Sequence, residues 1–318
     1  NHAKHQEKIF FNIITYFKED PYQFPYWIPR SEYLDGYAKF AGMSSSRFRD
    51  VKIPVLWHAP LLQRQQTENE RRFPLIVFSH GLGGNRTTYS TVCYDLASHG
   101  FIVAVLEHRN LIILVFAFKN KSLISKTASC RMSERIEGIA EDRDGVPVNL
   151  LLGDDFDLLQ FKVTIDSFDF DRTAIIGHSF GGATVIGALA ESEAFKVGVV
   201  LDGWMFPLSA DVYSRVPQPI LFLNSDSFQW KDNIDCMRQL YSSDVERTMG
   251  SVHQSHSDFT FLVNQWIGRR LNIRGTIEPM LCAEISGRLS ISFLSTHLST
   301  FRHFCDYDFD QSSDFYLE

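Results

Sequence analysis

The chain has 318 residues, 44% hydrophobic and 14% aromatic with 27 phenylalanines, which is enough to bury a large core and suits one large domain better than two small ones. A formal net charge of -7 argues against nucleic acid as a partner. Five scattered cysteines (Cys93, Cys130, Cys236, Cys282, Cys305) form no C-x-x-C pair, so they indicate neither a disulfide framework nor a zinc site and suit free buried thiols.

Residues 1–20, NHAKHQEKIFFNIITYFKED, begin without methionine and lack signal-peptide organisation. A fragment or trimmed product is expected, with the compartment, secreted or cytoplasmic, left open. An aromatic, proline-bearing part then runs to the polar stretch LLQRQQTENERR at 61–72. Beyond it, apolar runs at 75–79, 101–106, 173–176, 197–201 and 219–224 read as strands. Helical patterns fall between them at 87–98, closed by Gly100, after Ser179, and at 232–241. This alternation predicts an α/β fold with a mostly parallel central sheet, helices on both faces, and a site at the carboxyl ends of the strands. Residues 110–130 interrupt it with eight consecutive apolar residues, 111–118, where a loop is expected. A buried strand, a lid that meets lipid and a stretch misjoined to the reading frame all stay open for that segment. The expected organisation is one domain over 1–300, N-terminally incomplete and atypical at 110–135, followed by an acidic, loose tail at 301–318. Sequons at Asn85 and Asn120 decide little, and no apolar run is long enough to span a bilayer.

Chemistry gathers around TAIIGHSFGGATVIGALA, residues 173–190. The apolar strand and the helical pattern leave a sharp turn at Gly177-His178-Ser179-Phe180-Gly181, a G-x-S-x-G sequence. Such a turn strains its central serine and lifts the hydroxyl above the sheet edge. The residues two before and two after, Gly177 and Gly181, must then be nearly side-chain free. The Phe180 amide, at the first helical turn, is aimed to donate to a developing oxyanion. The bland alternative is a glycine-bearing turn with a solvated serine.

A serine nucleophile needs a base, and the base needs an acid to fix its tautomer, in the chain order serine, acid, histidine. Among His253, His256, His297 and His303, the loop residue His253 is the best base, against the alternative of a surface histidine. Asp202 and Asp226 both stand at strand ends, and spacing leaves them even. After the strand at 75–79, His80-Gly81-Leu82-Gly83-Gly84 supplies a second oxyanion donor at the Leu82 amide. A phosphate loop would need a G-x-x-x-x-G-K-[ST] lysine, which is missing. His253 and His256 have only Asp258 nearby as a third ligand, so no metal and no cofactor are expected.

As a set, FPLIVFSHGLGGNRTTYSTVCYDLASHGFIVAVLEHR, IIGHSFGGATVI, LDGWMFPL, VYSRVPQPILFLNS and GSVHQSHSDFTFL resemble the platelet-activating-factor acetylhydrolases of the plasma lipoprotein-associated and intracellular type II group. YWIPRSEYLDGYAKF and ISGRLSISFLSTHL resemble the same family, so the likeness covers most of 27–298. It implies an α/β-hydrolase fold and calcium-independent hydrolysis of the sn-2 ester in phospholipids with acetyl, short or oxidised acyl chains. It also implies Ser179 as nucleophile, Asp202 rather than Asp226 as acid, His253 as base, and Leu82 and Phe180 as oxyanion donors. The family continues after Glu107-His108-Arg109 with a polar, serine-bearing loop, where this chain has the apolar run.

Access to a phospholipid implies a membrane or lipoprotein surface. The pattern Phe259, Phe261, Leu262, Trp266, Ile267, Leu271 can present an apolar face to lipid, although helical aromatic stripes are usually core. Phe261, Leu262, Trp266 and Ile267 are the candidate interface residues. Rival readings are a general carboxylesterase or lipase of the same fold and a catalytically inactive lipid-binding relative.

Overall fold

A computed structural model of the chain describes residues 10–14, 24–41, 44–55, 72–107, 167–240 and 243–299. The polar stretch at 61–71, the segment 110–135, Asn120, His303 and the tail 301–318 lie outside the described residues.

Among the described residues seven strands form one sheet: β1 (Phe10–Ile14), β2 (Phe73–Ser79), β3 (Ile102–Glu107), β4 (Phe168–His178), β5 (Phe195–Leu201), β6 (Ile220–Ser225) and β7 (Ser243–Thr248), in the order β1-β3-β2-β4-β5-β6-β7. β1 runs antiparallel to β3, and every other pairing is parallel. Register brings Ser79 level with Gly177, His178 with Leu201, and Leu201 with Leu223. The loops that leave β2, β4, β5 and β6 therefore emerge at one edge, where parallel sheets carry their sites.

The strands alternate with period two between two apolar cores. Ile175, Val200, Ile220 and Phe222 face one side, with α3 (Phe180–Glu191), α4 (Ala210–Tyr213) and α5 (Lys231–Met237) packed there through Ile186, Leu189, Val212, Tyr213 and Met237. Ile176, Val199, Leu201, Leu221 and Leu223 face the other side, covered by α2 (Ser90–Ser98) and α8 (Pro279–His297) through Cys93, Leu96 and Leu294. A third cluster joins α1 (Ser31–Ala41) and its neighbours, as Trp27, Ile28, Leu34, Tyr37 and Phe48, to Phe259 and Leu262 of α6 (Phe259–Leu262).

Several boundaries differ from expectation. α2 begins at Ser90 rather than 87, because Asn85 ties down the residues before it. The Thr87 amide and hydroxyl donate to Asn85 Oδ1 at 2.7 and 2.8 Å, and the Thr88 amide donates to the Asn85 carbonyl. Asn85 has no exposure, so this sequon offers no surface to a glycan. α5 ends at Met237 rather than 241, where tight bonds from Gln239 and Leu240 to the carbonyls three residues back swing Leu240 into the core. β4 starts at Phe168, five residues earlier than 173, and β1 and β7 were not among the expected strands. Cys93 and Cys282 are buried free thiols, and Cys236 is a half-buried one.

Phe222, fully buried on β6, reports on the core that packs α3, α4 and α5 against the sheet. Phe222→Ala is expected to remove about 3–5 kcal/mol of stability, read as a lowered urea midpoint at an unchanged slope. A loss below about 1 kcal/mol would contradict this packing.

Candidate active site

Crowding at the end of β4 dictates the turn that carries Ser179. A Cβ on Gly177 would fall 2.2 Å from the Gly181 carbonyl oxygen, and one on Gly181 would fall 2.0 Å from the Ser79 carbonyl oxygen. No side chain fits at either place. Between them Ser179 adopts φ 58° and ψ -115°, a conformation that non-glycine residues occupy only under constraint. Its amide donates to the Leu201 carbonyl at 3.0 Å, and its carbonyl accepts from Gly182 and Trp204 at 3.0 and 2.9 Å. Phe180 opens α3, whose first amides have no acceptor within the helix. Leu82 is half-buried in the loop after β2, beside the core under α3. That loop approaches closely, since a Cβ on Gly81 would lie 3.2 Å from Ser179 Cβ.

His253 begins a short 3-10 turn, His253–His256, after β7. Its Nε2 lies 2.8 Å from Ser179 Oγ and its Nδ1 lies 2.6 Å from Asp202 Oδ2. A carboxylate only accepts, so Nδ1 carries the hydrogen, and Nε2 is left to accept from the serine hydroxyl. Asp202 also has a positive φ, 47°, and no exposure. Ser225 donates its amide at 2.8 Å and its hydroxyl at 2.6 Å to this carboxylate, and Gln229 Nε2 donates at 2.8 Å. Burial pushes the Asp202 carboxyl up, but the hydrogen bond from His253, the nearby imidazoles and the Ser225 hydroxyl outweigh it. The group is held well below the usual carboxylate range and stays ionised. An ionised acid, an oriented imidazole and a hydroxyl in this order can transfer a proton from serine to histidine and stabilise the imidazolium that forms.

Of the two acids left even by spacing, Asp226 turns elsewhere, accepting the Gly250 amide at 3.2 Å and bracing the turn before His253. Asp258 is not with the histidines as a ligand either. Its carboxylate accepts Trp27 Nε1 and the Ser90 amide, each at 2.8 Å, and the Thr91 amide at 3.0 Å, capping α2. Among the described residues no group of three or more His, Cys, Asp or Glu side chains is arranged to hold a metal ion. His256 is buried, and among the described residues its Nε2 has no hydrogen-bond partner.

Sequence reasoning missed several neighbours. Phe228 stacks on the His253 ring with centroids 3.6 Å apart, and Gln229 and Ser225 complete the carboxylate shell. Ser225 and Gln229 flank Asp226 in NSDSFQW, but nothing local says which strand end they serve. The candidate interface stripe divides. Trp266 is 72% exposed and Leu271 53%, whereas Phe261, Leu262 and Ile267 are half-buried and Leu262 packs on the Trp27 cluster. Phe259 sets its ring edge-on against Trp27 and Tyr37, at 5.5 and 5.1 Å. No helix among the described residues is long and apolar enough to cross a membrane.

Comparisons with known proteins bear on the family and the fold. A family model described as platelet-activating factor acetylhydrolase, isoform II, matches residues 3–128 and 115–315. The chain is 37% identical over 330 residues to the platelet-activating factor acetylhydrolase of Canis lupus familiaris, covering 92% of this chain and 72% of the relative. It is 37% identical over 331 residues to that of Bos taurus, with the same coverage. Among solved structures, a ferulic acid esterase from Streptomyces cinnamoneus superposes with a TM-score of 0.58 at 15% identity, over 92% of this chain and 90% of that one. The fold is that of an α/β-hydrolase.

Two buried histidines beside the site fix how stability follows pH. Burial lowers His256 to about 4, with Asp202 opposing and the charge of His253 adding to the shift, and burial lowers His178 well below the ordinary histidine value. In the unfolded chain both take a proton near pH 6.5, so the unfolded state binds more protons below that pH. The His256 contribution is complete above about pH 6.5 and is lost as pH falls toward 4, and that of His178 is lost in the same direction. The share from His256 is on the order of 3 kcal/mol. Denaturant titrations of His256→Phe should give a flatter decline between pH 6.5 and 4 than wild type. Parallel curves would contradict the depressed value.

Proposed function

This chain belongs to the platelet-activating factor acetylhydrolase family, and from that premise we propose that it is a serine esterase acting on the sn-2 acetyl, short or oxidised acyl ester of phospholipids such as platelet-activating factor. One observation carries the assignment of roles: the unbroken contact from Ser179 through His253 to Asp202, at 2.8 and 2.6 Å. Residues 1–300 are read as a single catalytic domain.

Ser179 Oγ attacks the sn-2 carbonyl carbon while His253 Nε2 takes its proton. The carbonyl oxygen gains the negative charge and is held by the Leu82 and Phe180 amides. Asp202 remains ionised beside the imidazolium. The C–O bond to glycerol then breaks, and His253 returns the proton to the departing alkoxide, giving the lyso-phospholipid and an acyl-serine. Water, deprotonated by His253, attacks the acyl carbon, and the carboxylic acid leaves as Ser179 regains its proton. No step calls for calcium.

Exposed apolar side chains support approach to a lipid aggregate. Trp266 and Leu271 stand exposed on and just after α7 (Gln265–Arg270), next to Arg269 and Arg270, and Met280 and Leu281 are exposed at the start of α8. Indole and guanidinium groups suit the boundary between headgroups and acyl chains.

Two measurements test these assignments. With an acetylated phospholipid in the presence of a chelator, wild type should turn over, Ser179→Ala should lose at least about 10⁴-fold in kcat, and Asp202→Asn should lose about 10³–10⁴-fold. Asp226→Asn should stay within about threefold. A larger loss for Asp226→Asn than for Asp202→Asn would transfer the acid role, and equal rates on acetyl and long-chain phospholipids would favour a general lipase. In vesicle co-sedimentation with phosphatidylcholine, the double variant Trp266→Ala, Leu271→Ala should bind several-fold more weakly. Unchanged binding would remove this face from the interface.

A further inference from the structure

Three loops must meet within a fraction of an ångström for the proposed reaction: the oxyanion loop after β2, the turn at Ser179, and the loop that begins at His253. One hydrogen-bonded chain runs through all three. The Gly81 amide lies 3.1 Å from Tyr89 Oη, Tyr89 Oη lies 2.9 Å from His178 Nδ1, and His178 Nε2 lies 2.9 Å from the His253 carbonyl oxygen.

Its proton positions have one solution. A carbonyl oxygen only accepts, so His178 Nε2 carries the hydrogen and donates to His253. Nδ1 of the neutral ring is then an acceptor, which makes the Tyr89 hydroxyl the donor to it. The hydroxyl oxygen in turn accepts the Gly81 amide. Burial of His178 favours the neutral ring that this order requires.

We propose that Tyr89 and His178 are positioning residues that hold the oxyanion loop and the base loop in register around Ser179. Gly81 precedes the Leu82 amide, so fixing its N–H aims that donor. The His253 main chain is held at its own carbonyl, so the imidazole approaches Ser179 from a fixed root. The Gly81 backbone passes close to all three groups: a Cβ built on it would lie 2.9 Å from Tyr89 Oη, 3.1 Å from His178 Nδ1 and 3.2 Å from Ser179 Cβ. Tyr89 is also the residue before α2, whose Ser90 and Thr91 amides bind Asp258, while the Asp258 amide donates to the Thr88 carbonyl at 3.0 Å. Residues 88–91 thus grip the base loop at its far end and, through His178, at its near end. Tyr89 is 4% and His178 1% exposed, so water does not stand in for a lost partner.

This inference rests on the esterase reading, and the test separates the two. Steady-state hydrolysis of an acetylated phospholipid by Tyr89→Phe should show kcat reduced by roughly tenfold or more with KM within about twofold, because small displacements of reacting groups weaken the transition state more than substrate binding. Leu96→Ala, a core change on the same helix, is the control: it should lower Tm by at least as much and leave kcat within about twofold. If Tyr89→Phe does not fold, His178→Leu, which removes both the acceptor for Tyr89 and the donor toward the His253 carbonyl, should show the same split. A competent wild type with either folded variant at wild-type kcat overturns this inference alone, as does an equal kcat loss in Leu96→Ala. A wild type that hydrolyses no ester overturns the esterase reading and this inference with it.

Discussion

A negative charge with no contact to water organises the catalytic edge. Asp202 is fully buried, and an ionised carboxylate there survives only if nearly every lone pair is engaged. Its partners come from separate strand ends: the Ser225 amide and hydroxyl at the end of β6, Gln229 in the loop beyond, and His253 after β7. Satisfying that charge therefore draws the exits of β5, β6 and β7 together. The histidine that contributes its Nδ1–H to the shell is left with Nε2 facing Ser179, so the same bonds that hold the buried charge also orient the imidazole toward the serine. Structure and chemistry share one interaction.

Steric constraint supplies the other half. The turn at Ser179 brings the Ser79 carbonyl, Gly177 and Gly181 so close that no β-carbon fits between them, and a serine in that turn has its side chain thrust away from the sheet. Behind it, Gly182 and Gly203 are packed closely enough that a Cβ on Gly182 would lie 2.8 Å from Gly203 Cα. This closeness lets the loop bearing Asp202 lie against the start of α3. Phe228 covers the outer face of His253 and reduces water access to the His253–Asp202 pair, which strengthens it.

Local signals made part of this legible. Ser179 and its glycines form a five-residue pattern with a mechanical reason, and five apolar strands were visible because they are buried on both faces. The strand SDVERT of β7 is polar and lies at the sheet edge, and β1 pairs with β3 from some ninety residues away, so neither advertised itself. Asp202 and Asp226 follow neighbouring strands and look alike in sequence; what separates them is geometry that spacing does not encode, a positive φ at Asp202 against an Asp226 carboxylate turned to Gly250. The apolar stripe from Phe259 to Leu271 carries one periodicity and two fates, because Phe259 and Leu262 find Trp27 from more than two hundred residues away while Trp266 stays 72% exposed beside Arg270. Tyr89 and His178 lie within the glycine-bearing motifs around Gly81 and Ser179, yet their bond joins elements that only the folded sheet brings side by side.

The most direct measurement is the mass of the folded protein after brief exposure to a fluorophosphonate. The hydroxyl–imidazole–carboxylate arrangement predicts one phosphonyl adduct per chain, on the peptide containing Ser179, with labelling slowed by orders of magnitude in His253→Ala. Cooperatively folded protein that takes up no adduct at Ser179, or takes it up equally fast without the imidazole, would contradict the account.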